Sequence, residues 1–310
     1  MALHPVIQAA LAAGRQTPPY HALPIGEARV QAKKGYPAKP APLPVGTVRD
    51  LSIPAGATVI AARIYTPLAA PGQGSHPLVV FFHGSGFVML DLDSHDDICR
   101  RLCAGAACIV VSVDYRLAPE HKFPAAPDDC LAATRWVAAH ARELGGDAAR
   151  IVLAGDSAGG CLAAVTALRI RDEGGPPLRG LLLFYPVLDY PSVPTASYLA
   201  FGTGFGLTRD GMQWFWDHYL ADPTAASHPH ASPLRARTLA GLPSTCILIA
   251  EYDVLHDEGR AFAQRLGEAG IATLLRSYAG MNHGFLKYTG VIEAADAAMA
   301  EACGWLGQVL

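Results

Sequence analysis

Residues 155–159 read Gly-Asp-Ser-Ala-Gly and match the pattern Gly-x-Ser-x-Gly. A strand-like run, 150–154, precedes them, and a helix-like run begins at Gly160. A strand-to-helix turn this sharp has room only for glycine on either side of the serine, and it lifts the hydroxyl above the sheet. The N–H groups and the positive dipole at the helix start would face a developing oxyanion. We therefore predict that Ser157 is a nucleophile.

A serine hydroxyl is a poor nucleophile unless a neighbouring base takes its proton. Asp253 and His283 each follow a predicted strand, so both lie at the edge of the sheet that carries Ser157. The chain order of serine, acid and histidine is the one that this arrangement uses. These three residues are the predicted catalytic triad. Asp257 is the competing acid, but it lies at a predicted helix start, where an acidic residue ordinarily acts as a cap.

A second loop of small residues, 83–87, reads His-Gly-Ser-Gly-Phe and follows the predicted strand 78–82. Small residues let the backbone pass close to a reacting carbonyl group and aim its N–H groups inward. We predict that the N–H groups of Gly84, Ser85 and Ala158 form an oxyanion hole, which stabilises negative charge on the carbonyl oxygen.

Alternating strands and helices must position these residues. Apolar runs predict strands at 48–53, 58–66, 78–82, 108–113, 150–154, 180–184, 245–250 and 273–278, and helical patterns occur near 94–104, 127–143, 158–172, 258–269 and 291–306. Continuous Val, Ile and Leu runs indicate strands buried on both faces of a parallel sheet. The β-α-β order implies right-handed crossovers and helices on both faces, so the predicted fold class is α/β.

Two stretches interrupt this alternation. In the first 45 residues, the pattern predicts a short helix at 6–13, and recurring prolines from 17 to 44 predict irregular structure. Further along, about 55 residues after position 186 lack a core strand and carry an aromatic cluster at 212–219. An insertion this long is usually a lid, here over the carboxyl edge where open α/β sheets bind ligands. The aromatic residues form the insertion's own core, part of the lid, or both.

Composition excludes several classes of partner. The 310 residues include 24 Lys and Arg against 27 Asp and Glu, a net charge of −3, with no basic run. This balance argues against nucleic acid or an anionic membrane as a partner. The apolar runs are shorter than the roughly 20 residues that a spanning helix needs, so we expect no stable membrane insertion.

The cysteines and the first residues bear on location. Seven scattered cysteines in apolar surroundings are typical of free buried thiols in a reducing cytoplasm. The first 14 residues contain no Lys or Arg, so we expect no secretory signal and predict a cytoplasmic protein. Cys99 and Cys103 lack a second pair of ligands, and His228 and His230 lack a third ligand, so no metal site is predicted.

Four ordered motifs resemble those of the hormone-sensitive-lipase-like family of α/β-hydrolases, in its bacterial esterase branch (family IV). They are residues 83–86, 114–126, 155–160 and 253–259 with the His283 segment. The resemblance implies an α/β-hydrolase fold: a mostly parallel eight-stranded sheet covered by helices on both faces, with a helical cap. The cap would comprise residues 1–45 and an insertion at about 187–232, and the catalytic domain residues 46–310.

The implied activity is hydrolysis of short- to medium-chain carboxylic esters without a cofactor, with Ser157 as nucleophile, His283 as base and Asp253 as its orienting acid. Amidase or lactonase activity through the same triad stays open, and so does a non-catalytic receptor. Plant gibberellin receptors share the fold but lack the histidine, so His283 favours an enzyme. Family members often form homodimers. The substrate pocket is predicted to include Phe87, Tyr185, Leu188, Phe205, Trp214, Leu255 and Phe285.

Two sites depart from the family pattern. Ser85 replaces the middle glycine of the loop; it can still donate its N–H at a negative φ, whereas a positive φ would strain it. Val254 and His256 replace the usual proline and arginine of the acid motif. The second change affects the local contacts of that loop rather than Asp253 itself.

Overall fold

The computed structural model describes residues 2–14, 17–36, 41–68, 75–84 and 86–310. Ser85 therefore lies outside the described residues. The strands form one eight-stranded sheet in the order β1-β2-β4-β3-β5-β6-β7-β8, in which β2 is antiparallel to both neighbours and the other pairs are parallel. The strands are β1 (Thr47–Ala55), β2 (Thr58–Thr66), β3 (His76–Phe82), β4 (Ile109–Asp114), β5 (Gly146–Asp156), β6 (Leu178–Phe184), β7 (Ser244–Tyr252) and β8 (Thr273–Asn282).

All the predicted strands and helices are confirmed, with ends that differ by a few residues. The described helices are α1 (Pro5–Gly14), α2 (Ile25–Lys34), α3 (Asp96–Gly105), α4 (Ala125–Ala139), α5 (Ala158–Glu173), α6 (Ala196–Phe201), α7 (Arg209–Tyr219), α8 (His256–Glu268) and α9 (Glu293–Val309). Short 3-10 turns lie at Tyr20–Ala22, Pro223–Ser227, Pro233–Arg235 and Phe285–Tyr288. Among the described residues, no helix is both long enough and apolar enough to cross a bilayer.

Strand β3 shows why the apolar runs are continuous. Val79 and Phe81 join one hydrophobic cluster, with residues of α3 and α9. Val80 and Phe82 join the other cluster, with residues of α4, α5 and α8. Side chains alternate between the faces of a strand, so a strand covered by helices on both faces must be apolar at every position.

The register of the sheet brings the predicted site residues together. Phe82, the last residue of β3, pairs with Gly155 near the end of β5, so the loop at 83 and the turn at Ser157 emerge side by side. At the other end of the site, Tyr252 of β7 pairs with Asn282 of β8. The acid loop and the histidine loop therefore start at the same level of the sheet.

Helix α2 corrects one prediction. The prolines between 17 and 44 predicted irregular structure, yet Ile25–Lys34 is an α-helix. This interval contains no proline, and Pro24 occupies the position before the first turn, where a missing N–H costs nothing. Ala28 and Ala32 are buried against the core. Packing of the Ala28 and Ala32 face against the core therefore supports this helix, which the flanking prolines had led us not to predict.

Helices α6 and α7 occupy the predicted insertion, and α1 and α2 occupy the N-terminal segment. In α7 the buried residues are Met212, Phe215, Trp216 and Tyr219, together with Gly211. The ring of Tyr219 stacks on Phe87, in the loop after β3, with 3.9 Å between centroids. The aromatic cluster thus provides the insertion's own packing and its contact with the catalytic edge. The domain boundaries themselves stay predictions.

Candidate active site

Ser157 lies in the tight turn between β5 and α5, with φ 55° and ψ −119°. A non-glycine residue adopts a positive φ only where its surroundings enforce it. Here the N–H of Ser157 donates to Phe184 O at 2.8 Å, and its carbonyl accepts from Val187 N at 3.0 Å. A Cβ at Gly159 would overlap Phe82 O, so glycine is required for the close approach of α5 to β3. The hydroxyl is thereby held at the sheet edge, and Ser157 is 9% exposed.

The three residues predicted as a triad are in hydrogen-bond contact. His283 Nε2 lies 2.8 Å from Ser157 Oγ, and His283 Nδ1 lies 2.7 Å from Asp253 Oδ2. A carboxylate only accepts, so Nδ1 carries the proton and Nε2 is left to accept from the serine hydroxyl. This arrangement fits a nucleophile, a base and a group that orients the base.

Each loop that carries a triad residue is fixed by its own contacts. Asp253 is buried at the end of β7, and its Oδ1 accepts from Leu255 N at 3.0 Å. The ring of Tyr185 meets the His283 imidazole edge-on, with 5.0 Å between centroids. Burial raises the pKa of Tyr185 well above its usual range, so its hydroxyl stays neutral beside the histidine. Asp257, the competing acid, instead accepts from Ser197 N at 2.8 Å.

The oxyanion loop differs from the prediction at one residue. Gly84 N donates to Asp156 Oδ1 at 2.6 Å, so this N–H is used within the protein and is not aimed at a substrate. The predicted role of Gly84 is therefore corrected. Ala158 is the first residue of α5, where an N–H has no acceptor within its own helix. The prediction for Ser85 falls outside the described residues.

The sequence profile of the α/β hydrolase fold family matches residues 79–287. The chain belongs to this family. It is 45% identical over 254 residues to the esterase LipI of Mycobacterium tuberculosis, covering 81% of this chain and 78% of the relative. It is 35% identical over 297 residues to an ethyl acetate hydrolase of Pseudomonas putida, covering 94% and 92%. A solved hyperthermophilic esterase from Pyrobaculum calidifontis superposes with a TM-score of 0.93 at 36% identity, covering 99% of each chain.

Two buried residues beside the predicted triad, Asp156 and His95, were missed by sequence reasoning. Asp156 is 3% exposed, and its Oδ1 also lies 3.2 Å from His95 Nε2. Burial opposes ionisation of Asp156, but His95 and the Gly84 N–H outweigh it, so the pKa of the carboxyl lies below its usual range. His95 is fully buried and stacks against Tyr36 with 5.7 Å between centroids. The sequence offered one signal for Asp156: it is an acidic residue in the turn 155–159, which otherwise contains only small residues.

The predicted pocket residues lie in different environments. Tyr185 and Phe285 pack against each other beside the histidine, with 5.6 Å between centroids. Phe87, Leu188 and Leu255 are buried. The remaining two lie in the cap, where Phe205 stacks on Tyr252 with 5.3 Å between centroids and Trp214 meets Phe215 edge-on at 5.2 Å. Contact of these seven residues with substrate stays a prediction.

Phe215 and Asn282 are two further residues near the site that sequence reasoning did not single out. Gly86, in the oxyanion loop, has φ 60°, and a Cβ there would overlap the Phe215 ring. Cap helix α7 thus packs directly on this loop. Asn282 Nδ2 donates to Phe205 O in the cap at 2.8 Å.

In the described part of the chain, no group of three or more His, Cys, Asp or Glu side chains is arranged to hold a metal ion.

Proposed function

We propose that this chain hydrolyses carboxylic esters in two steps through Ser157, His283 and Asp253. The observation that carries the proposal is the continuous chain of hydrogen bonds, 2.8 Å from Ser157 to His283 and 2.7 Å from His283 to Asp253. Relatives with long alignments, among them the carboxylesterase NlhH of Mycobacterium tuberculosis at 41% identity over 252 residues, support the same reaction.

In the first step, Ser157 Oγ forms a bond to the ester carbonyl carbon while His283 Nε2 takes the hydroxyl proton. The tetrahedral intermediate collapses as the bond to the leaving oxygen breaks and His283 returns the proton to that oxygen. Water then attacks the acyl-enzyme with His283 again acting as base, and the carboxylic acid leaves. Asp253 holds the imidazole tautomer and stabilises the imidazolium, so Asp253→Asn should lower turnover by up to roughly 10⁴.

The negative charge of the intermediate needs hydrogen-bond donors. We assign this role to the N–H groups of Ala158, Ser85 and Gly86, because the N–H of Gly84 is already engaged by Asp156. Each donor in such a site contributes on the order of 3 kcal/mol to the transition state. The free N–H groups at the start of α5 support the assignment of Ala158.

The proposed substrates are small esters with short to medium acyl chains. Support comes from the ethyl acetate hydrolase and from an arylesterase of Saccharolobus solfataricus, 38% identical over 246 residues and covering 78% of each chain. The small exposed fraction of Ser157 and the packing of the cap residue Phe215 on Gly86 support this size class.

A panel of p-nitrophenyl esters from about two to sixteen acyl carbons tests this proposal, with Ser157→Ala as the matched variant. We expect turnover that peaks at short acyl chains and disappears in Ser157→Ala, and covalent labelling of Ser157 by a phosphonate. Wild-type activity in Ser157→Ala would refute the mechanism. Matched anilide and lactone substrates test the amidase and lactonase alternatives, and ligand binding without turnover would favour a receptor.

We further propose a cytoplasmic location and a homodimer. All seven cysteines are free, and six of them are buried, which suits a reducing compartment. Strand β8 lies at one edge of the sheet, and within the described ranges no strand pairs with its outer side. Sedimentation at micromolar concentration tests the dimer, and a single monomeric species would refute it.

A further inference from the structure

One short part of the cap contacts both the loop that carries the triad acid and the loop that carries the triad base. We call residues 195–206 the α6 segment, because it contains α6 and the turn that follows it. The two loops are the residues directly after β7, starting at Asp253, and the end of β8 with His283. The contacts of the α6 segment with these loops therefore affect the distance between the Asp253 and His283 side chains.

On the acid side, the contact is made by Ser197, which is buried in the first turn of α6. Its Oγ donates to Val254 O at 2.7 Å, and Val254 directly follows Asp253. Its N–H donates to Asp257 Oδ2 at 2.8 Å, while Asp257 N donates back to Ser197 Oγ at 3.3 Å. The α6 segment therefore holds the acid loop at two backbone positions.

On the base side, the contact is made by Asn282, which directly precedes His283 and is 3% exposed. Its Nδ2 donates to Phe205 O at 2.8 Å. Its Oδ1 is buried and has no hydrogen-bond partner among the described residues. An amide buried with an unsatisfied oxygen is costly, whereas an apolar side chain of similar size would carry no such cost. The bond to Phe205 is therefore the contact that accounts for an asparagine here.

A ring contact joins the two sides. Phe205 stacks on Tyr252, with an interplanar angle of 5°. Tyr252 is also the partner of Asn282 in the β7–β8 pairing. The turn at Phe205 thus meets the ends of both strands at the level where the acid and the base emerge.

We propose that Ser197 and Asn282 are positioning residues, through which the α6 segment sets the alignment of Asp253 with His283. The inference rests on the proposed triad and adds that the cap maintains its geometry as well as covering it. A cap displaced at α6 would loosen the acid loop and the base loop together. A misplacement of about 1 Å in such a site costs about 10²-fold in rate.

The test compares Asn282→Ala and Ser197→Ala with Lys122→Met. Lys122 Nζ donates to Asp217 O and Leu220 O, so it also ties the cap to the core, but at α7. We expect each alanine variant to lower kcat by about 10- to 100-fold with little change in KM, because alignment rather than binding is lost. The control should keep its kcat. The double variant should lose less than the product of the single losses, because both bonds hold the same segment.

A spectroscopic reading separates positioning from general destabilisation. The low-field proton signal of His283 Nδ1–H, identified by its loss in His283→Ala, should move or broaden in both alanine variants and stay in place in Lys122→Met. Should an alanine variant fail to fold, Asn282→Leu keeps the side-chain volume without the donor and decides by the same readings.

Unchanged kcat in the folded variants, an unmoved proton signal, or an equal loss in Lys122→Met would overturn the inference. In each of these cases an inactive Ser157→Ala would leave the proposed function intact. If Ser157→Ala itself stays active, it is the proposed function that fails.

Discussion

Replacing Asp156 tests how the oxyanion loop is held. The carboxylate is nearly fully buried, accepts from Gly84 N at 2.6 Å and lies 3.2 Å from His95 Nε2. It touches the loop and no reacting atom, so it acts by positioning. Asp156→Asn keeps an oxygen that accepts from Gly84 but removes the charge, whereas Asp156→Ala leaves the Gly84 N–H buried without this acceptor.

The expected magnitudes follow from these contacts. Hydrogen bonds to charged groups contribute about 1.5–3 kcal/mol and neutral ones about 0.5–1.5 kcal/mol, so Asp156→Asn should cost about 1.4 kcal/mol, or about tenfold in kcat. In Asp156→Ala the loop loses its anchor. Removal of one oxyanion donor costs about 10²–10³-fold in kcat, and we expect a loss of up to this range when the loop that carries the donors is displaced.

The assay is steady-state hydrolysis of p-nitrophenyl acetate, together with thermal unfolding of each variant. The graded order of wild type, Asn and Ala should appear in kcat with little change in KM. Asp129→Asn is the matched control, because Asp129 is also a buried carboxylate but pairs with Arg116, 2.7 Å from Arg116 Nη2. It should unfold at a lower temperature with kcat unchanged. A folded Asp156→Ala whose kcat stays within about threefold of wild type would refute the reasoning.

Three further results are expected. Burial raises the pKa of Glu258 from 4.5 to about 8, so the folded state binds more protons than the unfolded state between these pH values. The free energy of unfolding should therefore fall as the pH rises through this window, by up to about 1.4 kcal/mol per pH unit. Unfolding of Glu258→Gln, measured over the same pH range, should lack this slope. Burial raises the pKa of Cys103 to about 12, and the other thiols are shifted upward too, so iodoacetamide should label native protein slowly and all seven cysteines only after unfolding. Phe215→Ala should free space beside Gly86 and raise the kcat/KM ratio of octanoate to acetate p-nitrophenyl esters, and an unchanged ratio would place Phe215 away from the acyl chain.

The proposed triad residues were predictable from the sequence, because each of them directly follows the end of a predicted strand or lies in the loop after it. Ser157, Asp253 and His283 follow three parallel strands of one sheet, so the topology brings them to a common edge, and only the rotation of their side chains remains to be set. The direction of a single backbone N–H group could not be predicted in this way. The N–H of Gly84 is directed by local torsion angles and by its hydrogen bond to Asp156, which lies 72 residues away, and no sequence spacing predicts that bond. Helix α2 was missed for a different reason: most residues of Ile25–Lys34 favour a helix, but the prolines on both sides predicted irregular structure for the whole stretch.

The two cap stretches, distant in sequence, both contact the loops that form the site. The N-terminal stretch lies on the oxyanion side: Tyr36 stacks on His95, and Arg29 donates to Val88 O at 2.9 Å and Ala118 O at 2.9 Å, the first of these next to Phe87. The insertion contacts the acid and base loops through the α6 segment, and the oxyanion loop through α7, where Phe215 packs on Gly86. A buried anion beside the nucleophile would oppose the oxyanion unless its own partners are fixed, because charges interact strongly where water is excluded. Holding His95 against Asp156 therefore matters electrostatically as well as sterically. In the proposed mechanism the cap is therefore a structural part of the site, because both of its stretches fix residues around the nucleophile.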